Sequence, residues 1–400
     1  MFRMDSATLK ARVADIEKTL REQELAALVV FGHGSALGSG SRSHGYLRYL
    51  CNWDGHNTPS LLVLVPGKAP RLFTPNIFLK FLSRETLWFD DVDFVKPPAF
   101  GAALRQALEE AIGPNARVGI VGRDEMMVTI WEGIAKELPS IDWIDFTPEL
   151  DQRRVVKDAL QLGFHRRAAE ICDEIFQTVA REVGSGKMTY QIQADMERTA
   201  KAAGAEYILT WLTVMPVADY SRFYKEECLR VPQPGDQVLA GIYLLYDGHW
   251  GHAIRTGTYG KPKDTHRRVF DVALEMQEAG LAALRPGSNL YDVNAAFEKV
   301  LDAYYPDATG QGIFTFRPAH GLGHSYEDPI ASQPFPQAYD DTAAPPPADA
   351  FLEIRKGMLF EFHPNLFVPN VAGAAIGDMV AVTDAEPEIM THFPRALIEW

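Results

Sequence analysis

Histidine is the side chain that both gives and takes a proton near neutral pH and also binds metals as a neutral imidazole. Of the seven histidines beyond residue 240, five, His249, His252, His320, His324 and His363, sit in or beside apolar or glycine-rich strand patterns. The stretch YDGHWGHAIRTG (246–257) sets two of them three residues apart on a strand-like apolar run, with Asp247 and Arg255 close by. In RPAHGLGHSYEDP, His320 and His324 flank Gly-Leu-Gly, a backbone small enough to approach a substrate or an ion closely. In KGMLFEFHPNLF, strand alternation points Glu361 and His363 to one side and Phe360 and Phe362 to the other. A carboxylate beside an imidazole on a buried strand needs a partner, whether an ion, a substrate cation or each other. The plainer alternatives are a solvated hairpin turn, a tight glycine turn and a structural ion pair.

Those residues must be positioned by the elements around them. Residues 1–150 alternate short β-rich runs (LAALVVFG, SLLVLVP, RVGIVG) with helical patterns such as GAALRQALEEAIG. That alternation predicts an α/β layer with at least partly parallel strands. At the start, Leu9, Val13, Ile16 and Leu20 share one helix face. The segment from Pro148 to Gly186 reads as one long amphipathic helical region that opens a second domain, 151–400. Helical patterns follow at KMTYQIQADMERTAKAAG, THRRVFDVALEMQEAGLAAL and NLYDVNAAFEKVLDAYY, and the last quarter is strand-rich. The run YDDTAAPPPADA is a proline-bearing loop, too short to link domains.

A net charge of −14 excludes the basic footprint that nucleic acids and acidic membranes require. No apolar run is long enough to span a bilayer, and the N-terminus lacks the apolar core of a signal peptide. Three cysteines without paired spacing exclude a disulfide framework and a cysteine zinc knuckle. A cytoplasmic location is therefore expected.

The order of motifs is itself informative: a Gly-Asp turn, a hairpin ending in RTG, HGLGH, KGM leading into a proline-containing strand, then AIGDMVAVT. This order resembles the pita-bread family, which includes Xaa-Pro aminopeptidases, prolidases, methionine aminopeptidases and creatinase. The N-terminal α/β part is similar to the aminopeptidase P/prolidase/creatinase branch. The resemblance implies an α/β creatinase-like N-terminal domain, 1–150, followed by an α+β pita-bread catalytic domain, 151–400.

Peptidases of that family hold two metal ions with two Asp, one His and two Glu. Carried onto this chain, the resemblance places those ligands at Gly241, His252, His324, His363 and Gly377. No counterpart is found for the peptidases' accessory histidines: Arg222 and Tyr224 stand near one position and Ala331 at the other. Creatinase also abandons the metal ligands, but its glutamate before the RT pair is Ile254 here. The three ligand positions that touch one metal all read histidine. The resemblance thus implies one metal position emptied and the other refitted with His252, His324 and His363, suited to Fe²⁺, Zn²⁺ or Mn²⁺. A metal-free pocket lined by the three histidines is the alternative.

Supporting roles follow from chemistry. Glu361 is expected to orient His363 or act as a general base. His320 is placed to hydrogen-bond a reacting oxygen, Asp247 and His249 at the pocket rim, and Arg255 against a carboxylate. Arg222 and Tyr224 are the substrate-side candidates. In creatinase-like dimers one subunit's N-terminal domain closes the other's site, which implies a homodimer with Trp53 and His56 of RYLCNWDGHNTP contributed by the partner. The expectation carried forward is a creatinase-like hydrolase of a non-peptide C–N bond in a small molecule, without peptidase activity. Two other readings stay open: a mononuclear non-haem iron dioxygenase or lyase on the same fold, and a catalytically inactive binding protein.

Overall fold

A computed structural model of the chain describes residues 5–113, 115–219, 229–316, 318–328 and 352–400. They form two compact units, one running to Arg154 and also taking in the stretch that begins at His324, the other starting at Val155. No helix among the described residues is long and apolar enough to cross a membrane.

The first unit opens with α1 (Ser6–Glu22), capped by the Asp5 carboxylate, which accepts from the Ala7 and Thr8 amides. Its buried residues include Leu9, Val13, Ile16 and Leu20, the face expected from their spacing. Next come β1 (Ala27–Gly32), α2 (His44–Cys51), β2 (Ser60–Leu64), β3 (Arg71–Thr74), α3 (Ile77–Thr86) and β4 (Val92–Phe94). The unit continues through α4 (Phe100–Leu108), β5 (Arg117–Val121), α5 (Val128–Glu137), β6 (Asp142–Asp145) and α6 (Thr147–Arg154). The strands make one mixed sheet in the order β4-β3-β2-β1-β5-β6, with β1–β2 and β2–β3 antiparallel and the other pairs parallel. Strand β1 is buried on both faces, which is why it reads as an unbroken apolar run. Leu28 and Val30 enter one core with α1 and α2, whereas Val29 and Phe31 enter another with α4 and α5.

The long helical region predicted from Pro148 is two helices. It breaks at Val155–Asp158, and α7 (Ala159–Glu182) restarts with a capping box between Asp158 and Gln161. Val156 is diverted into an isolated bridge with Met358, so β-branched residues leave the helix where a strand partner is available.

The second unit continues with α8 (Thr189–Ala202), β7 (Tyr207–Met215), β8 (Gln237–Tyr246), β9 (His249–Thr258), α9 (Asp264–Ala283) and α10 (Leu290–Tyr304). Its last part comprises β10 (Ala319–Gly321), β11 (Leu359–Phe362), β12 (Asn365–Val368), β13 (Ala372–Ala375), β14 (Asp378–Ala381), β15 (Glu388–Ile389) and β16 (Ile398–Glu399). One sheet runs β16-β9-β8-β7 and another β10-β11-β14-β15, with β12–β13 as a separate hairpin. Helices α7 and α8 cover the first sheet through Ile171, Ile175, Ile192 and Met196, and α9 and α10 pack with Phe360 and Phe362 of the second. The sheets meet where Ile254 and Gly377 exchange backbone hydrogen bonds of 3.2 and 2.8 Å. This is the expected order, an α/β domain followed by an α+β domain.

Candidate functional site

The hairpin β8–β9 turns at Asp247 and Gly248, whose φ values of 47° and 75° suit the two-residue turn that matches strand twist. Asp247 is therefore a turn residue of this hairpin. Beyond the turn, alternate residues take opposite faces of β9. His249 faces α7, stacked on Phe164 at 4.6 Å and edge-on to His165 at 5.1 Å, with Nδ1 2.8 Å from the Asp247 carbonyl. Its catalytic assignment is corrected because its side chain leaves β9 on the face opposite His252.

His252 lies on the other face, directly opposite Tyr243 of β8. Arg255 is fully buried, and its five N–H donors are all engaged. They reach the carbonyls of Ile254, Gly377 and Phe393 (two bonds to the last) and the Asp378 carboxylate at 2.6 Å. It locks β9 to β14 and has no donor left for a substrate carboxylate, so that expectation is also corrected.

The centre of the site is Glu361. Strand β10 pairs with β11 so that His320 sits opposite Glu361, and side chains opposite each other across a ladder are neighbours. His363 follows two residues after Glu361 on the same side, its amide donating to the Pro318 carbonyl at 2.6 Å. One carboxylate oxygen, Oε2 of Glu361, thus lies 3.4 Å from His252 Nδ1, 3.7 Å from His320 Nε2 and 3.2 Å from His363 Nε2. All four side chains are buried. His320 Nδ1 is 2.9 Å from the Gly321 carbonyl, which can only accept, so the ring's proton sits there and Nε2 faces Glu361 with its lone pair. A carboxylate and a lone pair in a dry site call for a proton or a cation between them.

The remaining expectations fall differently. His324 belongs to the first unit, its amide donating to Asp328 at 2.7 Å and its ring edge-on to Tyr49 at 6.4 Å. Among the described residues the clustered donors are His252, His320 and Glu361, so His320 stands where His324 was expected. Trp53 is buried in its own unit with Nε1 bonded to Ser60, so it is a core residue and not one offered to a partner. His56 is exposed, at a φ of 54°. Arg222 and Tyr224 lie outside the described residues.

Three residues of the site went unnoticed in the sequence. Trp211 of β7 pairs in register with Gly241, and a Cβ on residue 241 would overlap its indole. Tyr243 stacks on His252 at 4.4 Å and 27°. Asn365 ties the loop beyond His363 to Phe316, accepting from its amide and donating to its carbonyl. Only the alternation of aromatic residues in β7 and β8 hints at the first two.

The donor set bears on the ions that the resemblance implies. A pair of ions does not fit. Position 241 is filled by Trp211, and a Cβ on residue 377 would overlap the Glu361 carboxylate while lying 2.6 Å from the Ile254 nitrogen. One ion does fit. His252, His320 and Glu361 each offer a ligand atom, and these lie within 4.8 Å of one another. A tetrahedral ion with bonds of about 2.0–2.1 Å spaces its donors by about 3.4 Å, close to the 3.4 and 3.7 Å found from Glu361 to the two imidazoles.

Comparison with known proteins follows the same lines. Residues 163–384 match metallopeptidase family M24, and residues 12–156 match the creatinase/prolidase N-terminal domain. A Xaa-Pro dipeptidase of Pyrococcus horikoshii is 21% identical over 345 residues, 84% of this chain and 88% of that protein. The fold is shared with a prolidase from Thermococcus sibiricus (TM-score 0.79, 19% identity, 100% of each chain covered). It is also shared with the dipeptidase PepE from Mycobacterium ulcerans (TM-score 0.75, 24% identity, 100% of this chain and 99% of that one). These relatives are named as peptidases, which corrects the expected non-peptide C–N substrate and the expected absence of peptidase activity. They give no support to the dioxygenase, lyase and inactive-protein alternatives. The physical reason is that two lost ligand positions remove donors for a second ion but leave a set for one, and a single ion suffices for hydrolysis.

Proposed function

The chain belongs to metallopeptidase family M24, and from that premise we propose that it hydrolyses the peptide bond of Xaa-Pro-type dipeptides at a centre with one divalent ion. The observation that carries the reading is the convergence of three imidazoles on Glu361 Oε2 within 3.2–3.7 Å. His252, His320 and Glu361 hold the ion. Their mixed nitrogen and oxygen donors suit Zn²⁺, Mn²⁺ or Fe²⁺. Such an ion supplies Lewis-acid polarisation of the scissile carbonyl.

The other tasks fall to the chain. His363 Nε2, 3.2 Å from Glu361 Oε2, is placed to hold the proton released as water adds to the carbonyl. It then returns that proton to the departing nitrogen. Asn365, which donates to the His363 carbonyl at 3.0 Å, fixes the backbone from which this ring projects. Burial of all four side chains keeps bulk water from competing for their hydrogen bonds.

The test is proline release from a panel of Xaa-Pro dipeptides by protein loaded with Zn²⁺, Mn²⁺ or Fe²⁺. Release that depends on the ion and is abolished by Glu361→Gln is expected. Protein that binds one ion per chain yet releases no proline from any dipeptide in the panel would overturn the substrate assignment.

A further inference from the structure

We propose that Trp211 and Tyr243 are positioning residues for His252, two aromatic rings that both pack on this ligand's imidazole and fix its tilt. This rests on the ion-binding part of the function proposed above and not on its substrate.

The geometry comes from three neighbouring strands. Trp211 of β7 is in register with Gly241 of β8, and Tyr243 of β8 is in register with His252 of β9. Residues 241 and 243 share a face because strand side chains alternate. With no side chain at 241, the indole of Trp211 lies across the glycine and reaches the diagonal neighbour Tyr243, at 4.3 Å between ring centroids and 44° between planes. Tyr243 in turn stacks on His252 at 4.4 Å and 27°. His252 is nearly parallel to His320 on its far side, at 5.5 Å and 20°. The imidazole of His252 is therefore held between flat neighbours, with Nδ1 directed at Glu361 Oε2.

An imidazole ligand needs its ring plane fixed, and the usual device is a hydrogen bond from the ring's second nitrogen to a carboxylate or carbonyl. His320 has that device in the Gly321 carbonyl. His252 is packed by the stacked ring of Tyr243 and by the indole of Trp211, which meets it edge-on at 5.9 Å and 63°. A ring clamped by stacking keeps its tilt but loses it when the stack is shortened. The glycine at 241 is then a requirement of this packing, since any side chain there would displace the indole.

The experiment is titration of the full-length apo-protein with Co²⁺ alone, read both as an affinity and as the visible absorption of the bound ion. The variants are Tyr243→Phe, Tyr243→Leu and Trp211→Leu, with Thr213→Ala, a buried β7 residue, as a control for general loosening. Loss of an outer-shell support costs about 10–100-fold in metal affinity. Tyr243→Leu and Trp211→Leu are expected to weaken Co²⁺ binding by that factor and to alter its absorption. Tyr243→Phe, which keeps the ring face, and Thr213→Ala should match the wild type in both. Wild-type affinity and spectrum in both leucine variants would overturn the positioning role while leaving the ion site intact. A wild-type protein that takes up no Co²⁺, Zn²⁺ or Mn²⁺ would overturn the ion site and the positioning role together.

Discussion

Glu361 and Gly377 are matched by exclusion: the Glu361 carboxylate fills the volume that any side chain at residue 377 would need. The missing ligand at 377 and the central ligand at 361 are two aspects of one packing arrangement. Gly377 also sits where β9 and the β14 sheet exchange backbone hydrogen bonds, so the position tolerates no outward shift. Gly377→Ala should therefore destabilise the second unit by about 1–3 kcal/mol, the usual cost of overpacking. It should also push Glu361 away from His252. A thermal melt paired with metal analysis checks both, and an unchanged melt with full metal content would contradict the overlap.

Gly241→Asp should not install a second ion. The carboxylate would have to displace the Trp211 indole, and position 377 still provides no bridging ligand. Metal content is expected to stay at or below one ion per chain, with a lower melting temperature. Two ions per chain in this variant would show that Trp211 yields readily.

The histidines separate into those that hold the ion and those that do not. His252→Ala and His320→Ala each remove one of three donors. Both should lose affinity by more than the roughly 10–100-fold that an outer-shell partner is worth. His324→Ala should keep the ion, because the clustered donors are His252, His320 and Glu361. His363→Ala should keep most of it while slowing turnover, since this ring faces Glu361 as a proton carrier. Metal analysis of the four purified variants decides the ligand set, and loss of the ion from His252→Ala, His324→Ala and His363→Ala but not from His320→Ala would restore the ligand set first expected from the sequence.

Much of this arrangement was legible in the sequence, and the exceptions have definable causes. Alternation in LFEFH placed Glu361 and His363 together because a two-residue period is a local property of the backbone. The order of motifs identified the fold. The choice between His320 and His324 was not legible, because it depends on the register of β10 against β11, residues some forty positions apart in the chain. Trp211 was hidden for the same reason: its partner Gly241 is thirty positions away, and nothing near either residue announces the contact. Arg255 looked available because its acceptors are backbone carbonyls, which carry no sequence signature. The break between α6 and α7 was in plain view as Asp158 and Gln161, a capping box overridden by the longer apolar pattern.

Acid stability of the second unit depends on His165 and involves no ion. His165 is completely buried on α7 with Nδ1 2.8 Å from the Trp250 carbonyl. Burial pushes its pKa down to about 3, from the 6.5 of an exposed imidazole, against a smaller upward pull from that hydrogen bond. Between those two values the unfolded chain binds a proton that the folded chain refuses, so the folded state loses stability as pH falls from about 6.5 toward 3. At about 1.4 kcal/mol per pH unit the loss amounts to a few kcal/mol for a fully buried ring. In the first unit burial lowers His44 to about 4, which acts in the same direction. There, burial raises Asp151 to about 6, which acts in the opposite direction, because the folded state then binds the extra proton between 3.8 and 6. His165→Asn keeps an N–H able to reach the Trp250 carbonyl but cannot titrate. Denaturant midpoints measured from pH 7 to pH 4 should fall for the wild type and flatten for His165→Asn in the transition that reports the second unit. Parallel pH profiles for the two proteins would show that the acid sensitivity originates elsewhere.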